Sequence, residues 1–161
     1  MKIKIVLMLF AAVISITACQ KYYDTPNELY SIICKEMDIE AADINYAGFN
    51  VKDGSALLWY IAGDDIYNLK YVPVDCYITA DDKLIFKHIL KPIDRGENIA
   101  ILQWQGGYSF FINNEKCKKL KVRCGADLKE FDISEYPFIY YSETMPNDYE
   151  LLDENGESLE R

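Results

Sequence analysis

Apolar positions follow two periods along this chain. Leu29, Tyr30, Ile33, Cys34 and Met37 recur at helical spacing and so share one face of a helix. Thr25-Pro26-Asn27-Glu28 stands immediately before them; a capping residue, a proline at the first helical position and a glutamate three residues after the cap announce a helix start. From residue 44 onward the period is two. Segments 44–51 and 55–61 are predicted strands joined by Asp53-Gly54, a strong hairpin signal. Further strands are predicted at 69–79, 84–90, 98–105, 108–112, 118–124 and 137–142, with Gly106-Gly107 closing a second hairpin. Ile99-Ala100-Ile101-Leu102 and Phe110-Phe111-Ile112 are apolar on both faces, which predicts a central place for that hairpin. In 69–79, Val72, Val74, Cys76 and Ile78 share one face while Pro73 and Asp75 fall on the other, and the proline predicts an edge or broken strand. Pro146 to Arg161 is rich in carboxylates and reads as an acidic tail, a loose hairpin or disordered, turning at Asn155-Gly156. The expectation is an α+β fold in a single domain over 26–145, with an N-terminal helix packed on a mainly antiparallel sheet of about 6–8 strands.

The first residues follow a different logic. Lys2 and Lys4 precede an uncharged run from Ile5 to Ala18, and Cys19 follows. This is the organisation of an export signal, and the run is shorter than the about 20 apolar residues of a membrane-spanning helix. Ile16-Thr17-Ala18-Cys19 resembles the lipobox of bacterial lipoproteins. That resemblance implies a diacylglyceryl group on the Cys19 thiol, cleavage before it, and acylation of the new amino terminus. Three acyl chains exceed the two signals that stable anchoring takes. Residues 1–18 are then a signal peptide and 19–25 a short lipidated spacer, holding the domain close to the lipid surface. Gln20, where an aspartate acts as an inner-membrane retention signal in enteric bacteria, implies an outer-membrane position facing the periplasm in a source of that kind. A Gram-positive source implies the outer face of the cell membrane.

The chain is 161 residues long, 50% hydrophobic and 27% charged, which is globular composition and excludes collagen-like, disordered and coiled-coil chains. Its formal charge is -9, and losing Lys2 and Lys4 with the signal takes it to -11. Nucleic acid is excluded as a partner by the missing basic footprint. A cationic protein partner fits the acidity.

Once Cys19 carries lipid, Cys34, Cys76, Cys117 and Cys124 remain, an even number in a chain addressed to an oxidising compartment, so two disulfides are expected. Cys117 and Cys124 bracket Lys-Lys-Leu-Lys-Val-Arg, which has no turn residue and reads as a strand. Seven strand steps of about 3.3 Å hold them beyond the about 7 Å between Cα atoms that a disulfide allows. Two connectivities remain open: Cys34 with Cys117 and Cys76 with Cys124, or Cys34 with Cys124 and Cys76 with Cys117.

Chemistry is sparse. His88 is the lone histidine; alternation places it with Leu84, Phe86 and Leu90, as a packed side chain rather than a general base. A Gly-x-Ser-x-Gly elbow and a phosphate-cradling glycine loop are both missing from the sequence. Asp64-Asp65 and Asp81-Asp82 read as turns, and neighbouring carboxylates on a strand point to opposite faces. Asp153-Glu154-Asn155-Gly156-Glu157 lacks the spacing of a calcium loop. The stripe Lys119, Lys121, Arg123 is left to face lipid or the tail. An enzyme, a metal site and a cofactor are therefore not expected. Thirteen tyrosines, several among carboxylates, supply contact area for a basic protein, with Asp64, Asp65, Tyr140 and Tyr141 as the candidate contacts. The expectation is a lipid-anchored periplasmic inhibitor or immunity-type protein that captures a basic partner. The alternative is an assembly accessory of a secretion or envelope complex.

Overall fold

The structure is a computed structural model describing residues 21–40, 43–63, 69–94 and 99–159. It is mostly β, with 55% strand and 10% helix, which corrects the α+β expectation. Helix is confined to a 3-10 turn, Pro26–Leu29, running into α1, Tyr30–Met37, which stops where Asp38 takes the left-handed conformation at φ 56°. The predicted start is in place, with Pro26 at the first helical position. Thr25 Oγ1, however, donates to Glu28 Oε1 (3.3 Å) instead of capping the backbone.

The strands form three sheets, not one. In sheet A, β1 (Tyr22–Tyr23), β5 (Leu84–Ile89), β4 (Lys70–Ile78), β3 (Ser55–Ala62) and β2 (Ile44–Lys52) lie in that order, and β6 (Ile93–Asp94) also pairs with β4. Every pairing is antiparallel, and the sheet curls into a half-barrel. Sheet B has the order β11 (Phe138–Ser142), β8 (Gly107–Ile112), β7 (Ile99–Trp104). Sheet C has the order β10 (Asp127–Asp132), β9 (Lys119–Cys124), β12 (Asp148–Leu152).

Three apolar clusters stack these layers. On one face of sheet A, here the α1 face, Leu29 and Ile33 meet Leu58, Tyr60, Val72, Val74 and Cys76. On its other face Leu57, Trp59 and Tyr71 meet Ala100, Trp104 and Phe111 of sheet B. The far side of sheet B gives Phe110 and Ile112 to Leu120, Val122 and Leu151 of sheet C. Phe110 and Phe111 thus face opposite layers, as strand alternation requires, and the β7–β8 hairpin is covered on both faces. Every residue named in these clusters lies between Tyr23 and Leu159, so residues 20–161 carry the whole described fold.

Three expectations meet different physics. First, β4 is interior despite Pro73. Leu90 N–H donates to Pro73 O at 2.9 Å, and in a strand the N and the C=O of one residue point to the same side. The missing N–H therefore faces the gap between β5 and β6, where β4 has no paired residue, and no ladder bond is lost. Second, the segment read as an acidic tail supplies β12, whose Leu151 and Leu152 are buried. Asp153 Oδ1 accepts from the N–H groups of Asn155 and Glu157, both at 2.9 Å, so that fragment is a turn.

Third, the disulfides are not formed: Cys34, Cys76, Cys117 and Cys124 are free thiols. Cys34 and Cys76 belong to the α1-face cluster, Cys117 and Cys124 to the cluster between sheets B and C. Both connectivities left open by the sequence cross from one cluster to the other, with sheet B intervening. Parity of count and compartment said nothing about this layering.

Candidate functional site

The residues that build an open hollow on the surface begin at a glycine. β2 pairs with β3 in register from Ile44 to Tyr46, slips by one residue, and resumes at Gly48. A bulge inserts one residue and reverses the alternation beyond it. Gly48 is at φ 129°, and a Cβ there would stand 2.7 Å from Ile139 Cδ1 of sheet B; the position needs glycine for its backbone, and a side chain would also push the tip of Ile139 aside. Before the bulge Tyr46 is on the α1 face, opposite Tyr60. After it Phe49 and Val51 are on that face, opposite Leu58 and Ala56.

α1 covers only part of this face. Tyr60 Oη donates to Pro26 O at 2.8 Å, Tyr46 N–H donates to Tyr30 Oη at 3.0 Å, and the Tyr30 and Tyr60 rings meet edge-on with centroids 5.9 Å apart. Beyond that closure a hollow of about 660 Å³ remains, floored by Ala56 and Leu58 and walled by Phe49, Val51, Ile78 and Leu84. Leu58 is 2% exposed at the bottom, while Phe49 and Val51 are 54% and 51% exposed at the mouth.

Two turns and the incoming chain make the rim. Asp53 and Gly54 both have positive φ, the conformation of the favoured two-residue hairpin, and Ile78 N–H donates to Gly54 O at 2.8 Å. In the β4–β5 turn Thr79 Oγ1 accepts from Lys83 N–H at 3.0 Å, and Asp82 stands at φ 58°. Asp24, Thr79 and Asp82 at the rim and Tyr46 below it are the hydrogen-bonding side chains lining the hollow. Asp24 is paired with Lys83 Nζ at 2.9 Å, and that ammonium is held above its ordinary pKa by the bond and the charge of Asp24. Below the rim, burial raises the Tyr46 phenol to about 12. The hollow is apolar within and acidic at its lip, suited to hold an apolar group beside a cation.

A second set of polar groups fastens sheet A to sheet B. Asp75, 4% exposed, accepts from Trp104 Nε1 at 3.0 Å and pairs with Lys87 Nζ. Trp59 Nε1 donates to Ser109 Oγ at 3.0 Å, which donates on to Asn50 Oδ1. Both indoles are satisfied, as buried Trp N–H groups must be, and the two chains lock the sheets in one register.

The residues singled out from the sequence scatter. Cys19, Asp64 and Asp65 lie outside the described residues. Tyr140 packs between Phe110 and Phe131, with ring centroids at 5.8 and 4.4 Å, while Tyr141 meets Trp104 edge-on and donates to Gln105 O at 2.9 Å. These neighbours occupy opposite faces of β11. His88 is exposed, because the register slip after Asp75 brings Ile89, not His88, onto the α1-face core. Lys119 and Lys121 pair with Glu130 and Asp132 on β10, at 3.5 to 3.9 Å. Among the described residues no three His, Cys, Asp or Glu side chains gather to hold a metal ion. The hollow itself went unread; its one sequence signal is Gly48 interrupting an alternating strand, the usual mark of a bulge.

Comparison of the chain with protein-family models, with curated proteins and with solved structures yields no match.

Proposed function

We propose that this chain is a lipid-anchored protein of the cell envelope that works by binding, capturing a partner protein of basic character. The observation that carries the reading is the coincidence of carboxylate and exposed apolar surface at one end of sheet A. Phe49 and Val51 stand open there beside Asp24 and Asp82, all lining one hollow. An apolar centre with a charged rim is the anatomy of a protein interface, and a charge of -11 on the mature chain steers cations toward it. The lipid on Cys19, implied by the lipobox resemblance, keeps the domain at the membrane, where such a partner would arrive or act.

The test is capture with an internal control. Residues 20–161 and a Phe49→Gln, Val51→Gln variant are immobilised side by side against an envelope extract across a salt series. The reading expects a cationic protein retained by the first and not by the second, and released as salt rises. Equal retention by both, or retention that salt leaves unchanged, would sink it.

A further inference from the structure

The hollow has the proportions of a ligand site and not only of a contact patch. Its volume of about 660 Å³ falls within the about 300–1,000 Å³ of small-molecule pockets. Its floor is fully assembled: Ala56 and Leu58 are buried by their neighbours and still line the space. Six side chains without a polar atom, Phe49, Val51, Ala56, Leu58, Ile78 and Leu84, form floor and walls. Tyr46 is the one hydrogen-bonding side chain below the rim, so such an interior favours an alkyl chain over a sugar, nucleotide or peptide backbone, most of whose polar groups would lose water without replacement.

The head of that guest is set by the rim. Asp24 and Asp82 are the charged residues lining the hollow. The Lys83 ammonium beside it is engaged with Asp24, so the lip is net negative. Asp53 and Asp81 flank Gly54 and Asp82 in the two turns and add to the same sign. An anionic head would be repelled here and a cationic one attracted, weakly, because the groups are exposed to solvent.

We infer that the hollow on the α1 face of sheet A is a binding site for a single-chain amphiphile with an amine head, its alkyl chain laid on Leu58 between Phe49 and Leu84 and its ammonium at Asp82. The inference goes beyond the capture reading and rests on the hollow alone; it needs neither a protein partner nor lipid on Cys19.

The experiment uses residues 20–161 purified without detergent and loaded with the neutral fluorophore N-phenyl-1-naphthylamine. Dodecylamine and dodecanoic acid then compete for it below their micelle-forming concentrations. Dodecylamine should displace the probe at a concentration about threefold lower than dodecanoate, the size expected of one exposed charge pair. The preference should vanish in about 1 M salt, where the screening length is about 3 Å. Asp82→Asn, which keeps a residue tolerant of positive φ, should abolish the preference, weakening dodecylamine and relieving the repulsion of dodecanoate. Phe49→Gln with Val51→Gln, at exposed positions that do not carry the fold, should weaken both ligands together. Failure of both amphiphiles to displace the probe, equal or tighter binding of dodecanoate, or an Asp82→Asn variant that keeps the preference would each overturn the inference. Because no partner protein is present, a negative result here leaves the capture test to be decided on its own.

Discussion

Leu58 and Phe49 sit opposite one another in the β2–β3 ladder, both are large and apolar, and they live in different environments. Leu58 is buried in the cluster that the helix closes and floors the hollow beside it; Phe49 belongs to the half left open. The closed half is held by hydrogen bonds as well as by packing, with Tyr60 reaching Pro26 and Tyr30 receiving Tyr46 N–H. The open half has the same kind of side chains and no lid among the described residues. Sheet propensity and alternation are alike in the two halves; what separates them is where a twelve-residue helical segment, Pro26–Met37, begins, since Pro26 itself lines the hollow. An apolar face of a strand is therefore not yet a core. It becomes one only when another layer is laid on it.

The largest effect is expected where sheets A and B meet. Phe111 stacks on Trp59 with centroids 4.9 Å apart and touches Tyr71 at 4.7 Å, so Phe111→Ala opens a cavity between sheets A and B. A loss of about 3–5 kcal/mol should appear as a lowered urea midpoint. A loss below about 1 kcal/mol would mean that the two sheets are not packed through this ring.

Next comes the comparison itself, made by one pair of truncations. Leu58→Ala should cost about 2–5 kcal/mol, whereas Phe49→Ala, more than half exposed, should change stability by no more than about 0.5 kcal/mol. Similar losses at both sites, read from thermal unfolding of the two variants, would show the open half to be covered as well. Smaller again is the hinge between the halves. Gly48→Ala must hold φ 129° against an L side chain and displace Ile139, at a cost of about 1–3 kcal/mol. It should also loosen dodecylamine, since the bulge aims Phe49 and Val51 into the hollow. Unaltered stability and ligand affinity in that variant would remove the bulge from the account.

Much of this architecture was legible in the residues, and the gaps have physical causes. The helix start at Thr25-Pro26, the Asp53-Gly54 turn and the doubly apolar β7–β8 hairpin are local signals, and each stands where it was expected, save that the second hairpin turns at Gln105-Gly106 and not at Gly106-Gly107. β10 is not legible because almost all of it is exposed and its two apolar residues, Leu128 and Phe131, stand three apart among Asp, Lys and Glu, on opposite faces, which leaves no alternation to read. The placing of β12, of Pro73 and of four free thiols depends on which strand is neighbour to which, and that is a long-range property. His88 shows the same limit on a smaller scale, for one inserted residue in β5 reverses every expectation drawn from parity beyond it.

The closed half also makes an electrochemical prediction that the open half does not share. Burial, with the Asp75 charge adding to it, pushes the Cys76 thiol up to about 12, and burial raises Tyr46 to about 12 and Tyr60 further in the same direction. In the unfolded chain these groups release their protons near 9 for the thiol and 10 for the phenols. The folded state therefore keeps protons that the unfolded state loses, so stability is complete below about pH 9 and falls as pH rises toward about 12. Lys52, Lys83 and Lys119 have raised values as well, but their unfolded-state titration begins higher and leaves the first part of the decline to the buried thiols, Cys76 and also Cys117, which burial raises in the same direction. Urea unfolding at about pH 9.5 should give about 1 kcal/mol less stability than at neutral pH, with Cys76→Ala less stable at neutral pH and shallower in slope. Dodecylamine displacement, which depends on the open half, should change far less over the same interval, because its ammonium and the rim carboxylates keep their charges. If wild type and Cys76→Ala decline in parallel, the thiol is not the group that the closed half holds protonated, and the contrast between the two halves would then rest on packing alone.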